Sequence, residues 1–453
     1  MDNFNVRTIN VLDKKFIFFP YSLIFFESND LIDKLVLLLS KKRSEEFILN
    51  SVGEDIESAK IVLNQLNDLM ILEEKSKELI KNNKSNNAIS KLKLKAAQIN
   101  TINACNLKCK YCFAKDGSHG ENNVLSKHMV KDIIDFLLKE GIGEDELSLT
   151  IIGGEPLLNF PVFEEIINCA KAEGKAQGKD IRFITTTNGT LINERIASVL
   201  KENNVSTMLS LDSHDKNTQD YLRPSNTGTS SYDMINNSYF KYQCSSKEKS
   251  KVHVTITPFN KNIYDIGKNF FEMGFSHVHF EEVISEQDEF KLTKEDVDIL
   301  KKEYEKLSLY LLEKIKNNQK VSCYPLLDDI KRINERRLKI KKCGVLNNMI
   351  GISPDGNLYP CDMLMWGDYK LGSISTGINY DKVNDLIINH DLDLQCNECW
   401  ARYICGGQCL GERELIKDKE QRSYRCSIKK HIVRLKLYML SELGGKKEYI
   451  DNL

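Results

Sequence analysis

Three cysteines on one short stretch carry the clearest chemical potential in this chain. Cys105, Cys109 and Cys112 lie in Asn103-Ala-Cys-Asn-Leu-Lys-Cys-Lys-Tyr-Cys-Phe113, a C-x3-C-x2-C triplet. Three soft thiolates on one loop hold three irons of a 4Fe–4S cube and leave the fourth iron open to a ligand. A structural zinc site instead closes on a fourth Cys or His. His119, seven residues on, is the residue that would close it. Spacing alone leaves both readings standing.

A second array comprises Cys343, Gly356, Cys361, Cys396, Cys399, Cys405, Cys409 and Cys426. It is written C-x12-G-x4-C, a gap, C-x2-C-x5-C-x3-C, a gap, then C. Such density suits iron–sulfur ligation or paired zinc knuckles. Asp355-Gly356-Asn357 also reads locally as a hairpin turn. Cys169, Cys244 and Cys323 stand alone, and the first two read as small buried apolar residues. The 64 basic and 65 acidic residues nearly balance, so nothing points to nucleic acid or an anionic membrane. The longest apolar run, Phe16 to Phe26, is too short to span a bilayer. The first residues, Met-Asp-Asn-Phe-Asn-Val-Arg, lack a signal-peptide pattern. A cytoplasmic location is expected, where the thirteen cysteines do not pair as disulfides and the ten clustered ones suit metal.

The length favours two to four domains. Residues 1–72 read as a winged-helix-like module. It has strands around Leu12-Asp13-Lys14, a third over Tyr21–Phe26, a helix from Leu31 to Ser40 capped by Asp30, and another from about Asp55 to Asp68. Residues 73–95, rich in Lys, Asn and Ser, read as a polar helix fraying into a linker. Over residues 96–318, strand and helix patterns alternate. This is an α/β pattern, a partial (β/α)6 TIM-like barrel of parallel strands. Residues 319–342 form a bridge to the C-terminal array over 343–453.

Chemistry-bearing residues follow the predicted strand ends, where such folds build sites. After the second strand, Gly153 and Gly154 let backbone approach a ligand, and Glu155 offers an acceptor for an ammonium. Thr187-Asn188-Gly189 follows the third strand as a turn. Ser210 ends the fourth, and Arg223 follows with a planar fork suited to a carboxylate. Glu281 and Glu282 end the sixth strand, and only one can face inward. Glu281 is favoured as the residue that positions substrate or accepts a proton. His277 and His279 on the same strand read as structural.

Asn-Leu-Lys-Cys-Lys-Tyr-Cys-Phe-Ala resembles the cluster loop of radical S-adenosylmethionine (SAM) enzymes. The resemblance implies that Cys105, Cys109 and Cys112 hold a 4Fe–4S cluster whose open iron chelates SAM, with reductive cleavage giving a 5′-deoxyadenosyl radical. It places Tyr111 beside the cluster and adenine, and Gly153-Gly154-Glu155 on the SAM amino group. Thr187 and Asn188 fall near the ribose, and Ser210 and Arg223 on the carboxylate. The C-terminal array resembles the SPASM domain, which implies two auxiliary 4Fe–4S clusters. Cys396, Cys399, Cys405 and Cys426 would close one. Cys343, Cys361 and Cys409 would hold the other, with Cys323 or a substrate thiolate as the fourth ligand.

The N-terminal module is similar to the leader-binding units of ribosomal peptide maturases. The expected protein is therefore a peptide maturase making a cross-link, first a Cys thioether and second a carbon–carbon bond. Its expected partners are a precursor peptide and a flavodoxin- or ferredoxin-type reductant. A sulfatase-activating enzyme and a non-enzymatic iron–sulfur or zinc protein remain as alternatives.

Overall fold

A computed structural model describes residues 5–52, 56–83, 89–115, 117–118, 122–141, 143–242, 250–391 and 394–450. His119 and Cys244 lie outside the described residues. The N-terminal strands β1 (Arg7–Val11), β2 (Lys14–Phe19) and β3 (Ile24–Glu27) form an antiparallel sheet in that order. Helices α1 (Asp30–Ser40), α2 (Glu45–Ser51) and α3 (Ile56–Asn83) follow. Strand β2 is apolar on both faces because it is buried on both. Ile17 and Phe19 pack with Leu35, Ile48 and Leu63 of the helices, whereas Phe16 and Phe18 belong to the main core.

One expectation here is corrected. Asn29, not Asp30, caps α1, its side chain accepting from the Ile32 N–H at 2.9 Å. Residues 73–83, read as a polar helix fraying into a linker, are helical and continue α3 without a break. Glu73 ties this part of the helix down. Its buried carboxylate accepts from the Tyr21 and Ser22 amides at 2.7 and 2.8 Å. A polar composition therefore concealed a buried, doubly hydrogen-bonded acid.

The rest of the fold is α/β with one large, mostly parallel sheet. Strand β4 (Ala96–Asn100), helix α4 (Lys127–Glu140), β5 (Glu146–Ile152), α5 (Phe160–Ala176) and β6 (Asp180–Thr187) begin it. There follow α6 (Glu194–Glu202), β7 (Ser206–Ser210), α7 (Lys216–Leu222) and α8 (Ser231–Ile235). Then come β8 (Lys251–Ile256), α9 (Ile263–Glu272), β9 (His277–Glu282) and α10 (Lys294–Lys316). These six strands pair in parallel in chain order. The bridging region adds β10 (Ser322–Tyr324), parallel to β9, and α11 (Ile330–Asn334). At the opposite edge β11 (Met349–Ile352) pairs in parallel with β4. Strands β12 (Asn357–Tyr359), β13 (Gly372–Ser373) and β14 (Gly377–Ile378) continue the same sheet in antiparallel fashion. The C-terminal array is thus grafted onto the parallel sheet. Helices α12 (Tyr380–Asp391), α13 (Leu394–Asn397), α14 (Arg402–Cys405), α15 (Leu410–Leu415) and α16 (Lys419–Glu442) complete it.

Parallel strands between helix layers are usually apolar on both faces. Here β5, β7, β8 and β9 alternate strictly. Leu149, Ile151, Leu209, Val252, Val254, Val278 and Phe280 enter the core with the helices. The opposite face carries Thr150, Ser210, His253, His279 and Glu281, all half-buried. A polar second face on a buried sheet is the pattern a ligand-binding surface requires. No helix among the described residues is long and apolar enough to cross a membrane.

Candidate active site

The three-cysteine loop leaves β4 through Asn100, whose side-chain Oδ1 accepts from the Ile102 N–H and whose side-chain amide donates to Asn103 Oδ1. The loop is pinned along residues 222–226. Lys108 and Lys110 donate backbone bonds to Pro224 and Leu222, and Asn226 donates to Asn106. Leu107 and Tyr111 point inward, Tyr111 into an apolar nest of Leu222, Val283 and Phe290 beside Cys109. The three cysteines remain half-buried.

Burial pushes the Cys105 thiol up to about 11 and Cys109 up to about 12. Those two thiols are therefore neutral unless a cation binds them. Soft cysteine sulfurs are the donors an iron–sulfur cluster takes. The Cys105 sulfur also accepts from the Leu107 N–H at 3.4 Å and the Asn188 amide at 3.7 Å.

Gly153 and Gly154 are required by the protein as well as by any ligand. A Cβ on Gly154 would lie 2.3 Å from the Ala104 carbonyl oxygen, and one on Gly153 2.8 Å from that of Ile102. Gly154 and Glu155 donate backbone bonds to Ile102 and Ala104. The double glycine thus lets this loop lie directly on the cysteine loop.

The Glu155 carboxylate, expected to face an ammonium, is engaged within the protein. The side chain turns into the protein at 1% exposure. It accepts from Thr187 Oγ1 at 2.8 Å, the Asn188 N–H at 2.7 Å and the Leu157 N–H at 3.1 Å. Burial raises its pKa despite these three donors. Glu155 therefore locks the turn after β6 to the Gly-Gly loop. Asn188 bridges onward, its amide donating to Asn106 as well as touching Cys105.

Arg223 is almost fully buried and joins Tyr111 and Asp212. Tyr111 donates to Asp212, Arg223 donates to the Tyr111 hydroxyl at 3.1 Å, and the Arg223–Asp212 pair spans 3.7 Å. Asp212 also accepts from the Thr255 N–H, and its backbone is held by Gln219 and Asn260. The Arg223 Nε has no hydrogen-bond partner. A buried guanidinium with an unspent donor is a ready anion site. Asp212, Gln219 and Asn260 escaped the sequence reading. Only the register after β7 could have signalled Asp212, two residues beyond Ser210.

Ser210 lies in register with His253 of β8, His279 of β9 and Tyr324 of β10. The three rings stack as a ladder, 5.0 Å and then 4.1 Å between centroids. Burial, reinforced by His279, drives the His253 pKa down to about 3. Lys342 donates to the Tyr324 hydroxyl at 2.7 Å.

Glu281 shares the ladder's face, 3.6 Å from His279. Burial opposes its charge, but His279, Lys342, Lys429 and Arg425 outweigh burial and hold its carboxyl well below the usual range. Glu282 turns to the other face. Its carboxyl is raised by burial, although Arg425 at 3.8 Å opposes this.

The C-terminal cysteines fall into two electrostatic groups. Cys361 and Cys409 both feel Cys343, and Cys361 also feels Cys409. Cys426 feels Cys396 and Cys405, and the Cys399 N–H donates to Cys396. Cys323 is packed in the main core, where burial, then Asp328, raises its thiol pKa. Arg425, beside Cys426, ties this region to β9. It donates to Glu412 at 2.6 Å and to the Val283 carbonyl at 2.8 Å.

Residues 99–238, from β4 through Arg223 into the segment after α8, match the sequence model of the Radical SAM superfamily. The chain is thus similar to that superfamily over the cysteine loop, the Gly-Gly-Glu turn and Arg223. That superfamily uses SAM and a 4Fe–4S cluster. The chain is 26% identical over 337 residues to the cysteine-type anaerobic sulfatase-maturating enzyme of Clostridium novyi, covering 68% of this chain and 86% of that enzyme. The solved structure of native anSMEcpe with bound AdoMet superposes with a TM-score of 0.64. It is 21% identical and covers 77% of this chain and 98% of its own. Streptococcus suis SuiB bound to precursor peptide SuiA gives a TM-score of 0.51 at 16% identity, covering 92% of this chain and 97% of its own.

Proposed function

We propose that this chain is a radical SAM enzyme that modifies a ribosomally made precursor peptide. It installs an intramolecular cross-link, first a Cys thioether. The observation that carries this reading is the join between the N-terminal module and the C-terminal cysteine array. Strand β2 sets Phe18 edge-on to Trp400, next to Cys399, and Tyr21 packs against Tyr403. The module acts as a winged-helix-like unit that adds the peptide's leader as a strand to a sheet edge. The large sheet serves as a partial barrel whose polar face receives the peptide's reacting segment. SuiB, whose solved structure contains its precursor peptide, shares its fold over most of this chain.

When bound, SAM and its cluster supply the one-electron cleavage that allows a carbon–hydrogen bond to be broken. Cys105, Cys109 and Cys112 would hold that cluster, and Asn188 donates toward the Cys105 sulfur. Gly153 and Gly154 present backbone to SAM, Glu155 and Thr187 brace that backbone, and Tyr111 shields it. Arg223, oriented by Asp212, takes the SAM carboxylate with Ser210. Glu281 is too weak a base at its depressed pKa to draw a proton efficiently. It instead anchors a donor group of the substrate beside His279. Cys343, Cys361 and Cys409 would hold a second cluster and Cys396, Cys399, Cys405 and Cys426 a third, which would supply sites for the surplus electron.

A second reading, sulfatase maturation, draws on the similarity to the C. novyi enzyme. Anaerobic incubation with SAM and dithionite separates the two. A cysteine-rich precursor with its leader is expected to lose two hydrogens per bond formed, and the leaderless peptide to stay unmodified. Conversion of a short sulfatase peptide to formylglycine, with the precursor untouched, would establish the second reading instead.

A further inference from the structure

We propose that the open face over Cys396, Cys399, Cys405 and Cys426 is the docking surface of an acidic one-electron carrier protein of the flavodoxin or ferredoxin type. This rests on the reading of those four cysteines as cluster ligands.

All four are half-buried and line one cavity of about 780 Å³. Its rim is cationic. Residues 402–436 contain ten Lys and Arg against four Asp and Glu, in a chain whose net charge is −1. The four acids are already engaged. Glu412 holds Arg425 and Lys429. Glu414 holds Lys417, Asp418 caps α16, and Glu420 accepts from the Tyr424 hydroxyl. Among the described residues no ion pair neutralises Arg402, Lys419, Arg422 or Lys430, all on the cavity wall. Arg402 keeps a buried Nη1 without a hydrogen-bond partner.

Uncompensated cations around an exposed redox site attract an anionic partner and orient its approach. The other group combines buried Cys361 with exposed Cys343. The uncompensated cations on the cavity wall therefore mark the four-cysteine face as the exit. One electron passes from the four-cysteine cluster to the oxidised carrier. The cluster is oxidised by one electron and the carrier reduced by one, with no bond made or broken.

The test uses iron-loaded full-length enzyme and oxidised flavodoxin, with binding followed through flavin fluorescence at low and high salt. Wild type is expected to bind, and more weakly as salt rises. The triple variant Lys419→Glu/Arg422→Glu/Lys430→Glu is expected to weaken binding on the order of tenfold or more. Its iron content and dithionite-driven 5′-deoxyadenosine formation should stay at the wild-type level. Equal binding by wild type and triple variant overturns the proposal. So does preferential binding of heparin or anionic vesicles through the same residues. Iron for fewer than three clusters in wild type, with flavodoxin still bound through the patch, would defeat the cluster reading while leaving the docking surface in place.

Discussion

At the scale of residues, the site depends on groups that leave their neighbours no alternative. Arg223 is held by Tyr111 and Asp212 with one donor unspent. Arg223→Lys keeps the charge and loses the fork. Loss of one charge-assisted hydrogen bond, about 1.5–3 kcal/mol, is expected to raise the SAM dissociation constant on the order of tenfold to a hundredfold in equilibrium dialysis. Gly154→Ala places a methyl 2.3 Å from the Ala104 carbonyl. The cysteine loop must shift, so iron content should fall by about one cluster in a colorimetric assay while the C-terminal clusters persist. The cysteine positions were legible because ligation fixes residue type and spacing. Glu155 was legible as important, but its role was not. A carboxylate that faces its own backbone and one that faces a ligand look alike in sequence. Asp212 was not legible, because its function is to be the buried partner of a residue eleven positions away.

At the scale of elements, the alternating parallel strands were readable from their period. The continuity of α3 was not, because the polar helix over 73–83 read as separate from the apolar-striped one before it. Glu73 decides the matter. Glu73→Ala removes the acceptor of the Tyr21 and Ser22 amides. Two buried donors are then left open, which should cost about 1–3 kcal/mol in anaerobic urea denaturation and weaken leader binding. The sheet's extension by β10 at one edge and β11 at the other was equally hidden. Both strands are short, and their partners lie far away in sequence. The stacked His253, His279 and Tyr324 ladder follows from that pairing. His253 at about 3 and His277 at about 4 both sit below the ordinary imidazole value, chiefly through burial. The unfolded chain therefore binds protons first as the pH falls. This stability is fully present above about pH 6.5 and declines toward pH 4. Urea midpoints should drop between pH 7 and 5, and His253→Gln should flatten that slope.

At the scale of the whole molecule, one sheet and one C-terminal helix join three functions. The module's β2 rests on the cysteine array, and Arg425 clamps that array to β9. Arg425→Ala leaves buried Glu412 and Glu282 without their main cation. It should destabilise the protein by about 3–5 kcal/mol in the same denaturation assay, whereas Arg425→Met combined with Glu412→Met should cost far less. The account rests most heavily on Cys105, Cys109 and Cys112 as the cluster that opens SAM. The most direct test is 5′-deoxyadenosine formation under dithionite by iron-loaded wild type and by Cys105→Ala/Cys109→Ala/Cys112→Ala. The account predicts product from wild type and none from the triple variant, with the C-terminal clusters still seen by Mössbauer spectroscopy. Equal product from both, or none from a fully iron-loaded wild type, would contradict it.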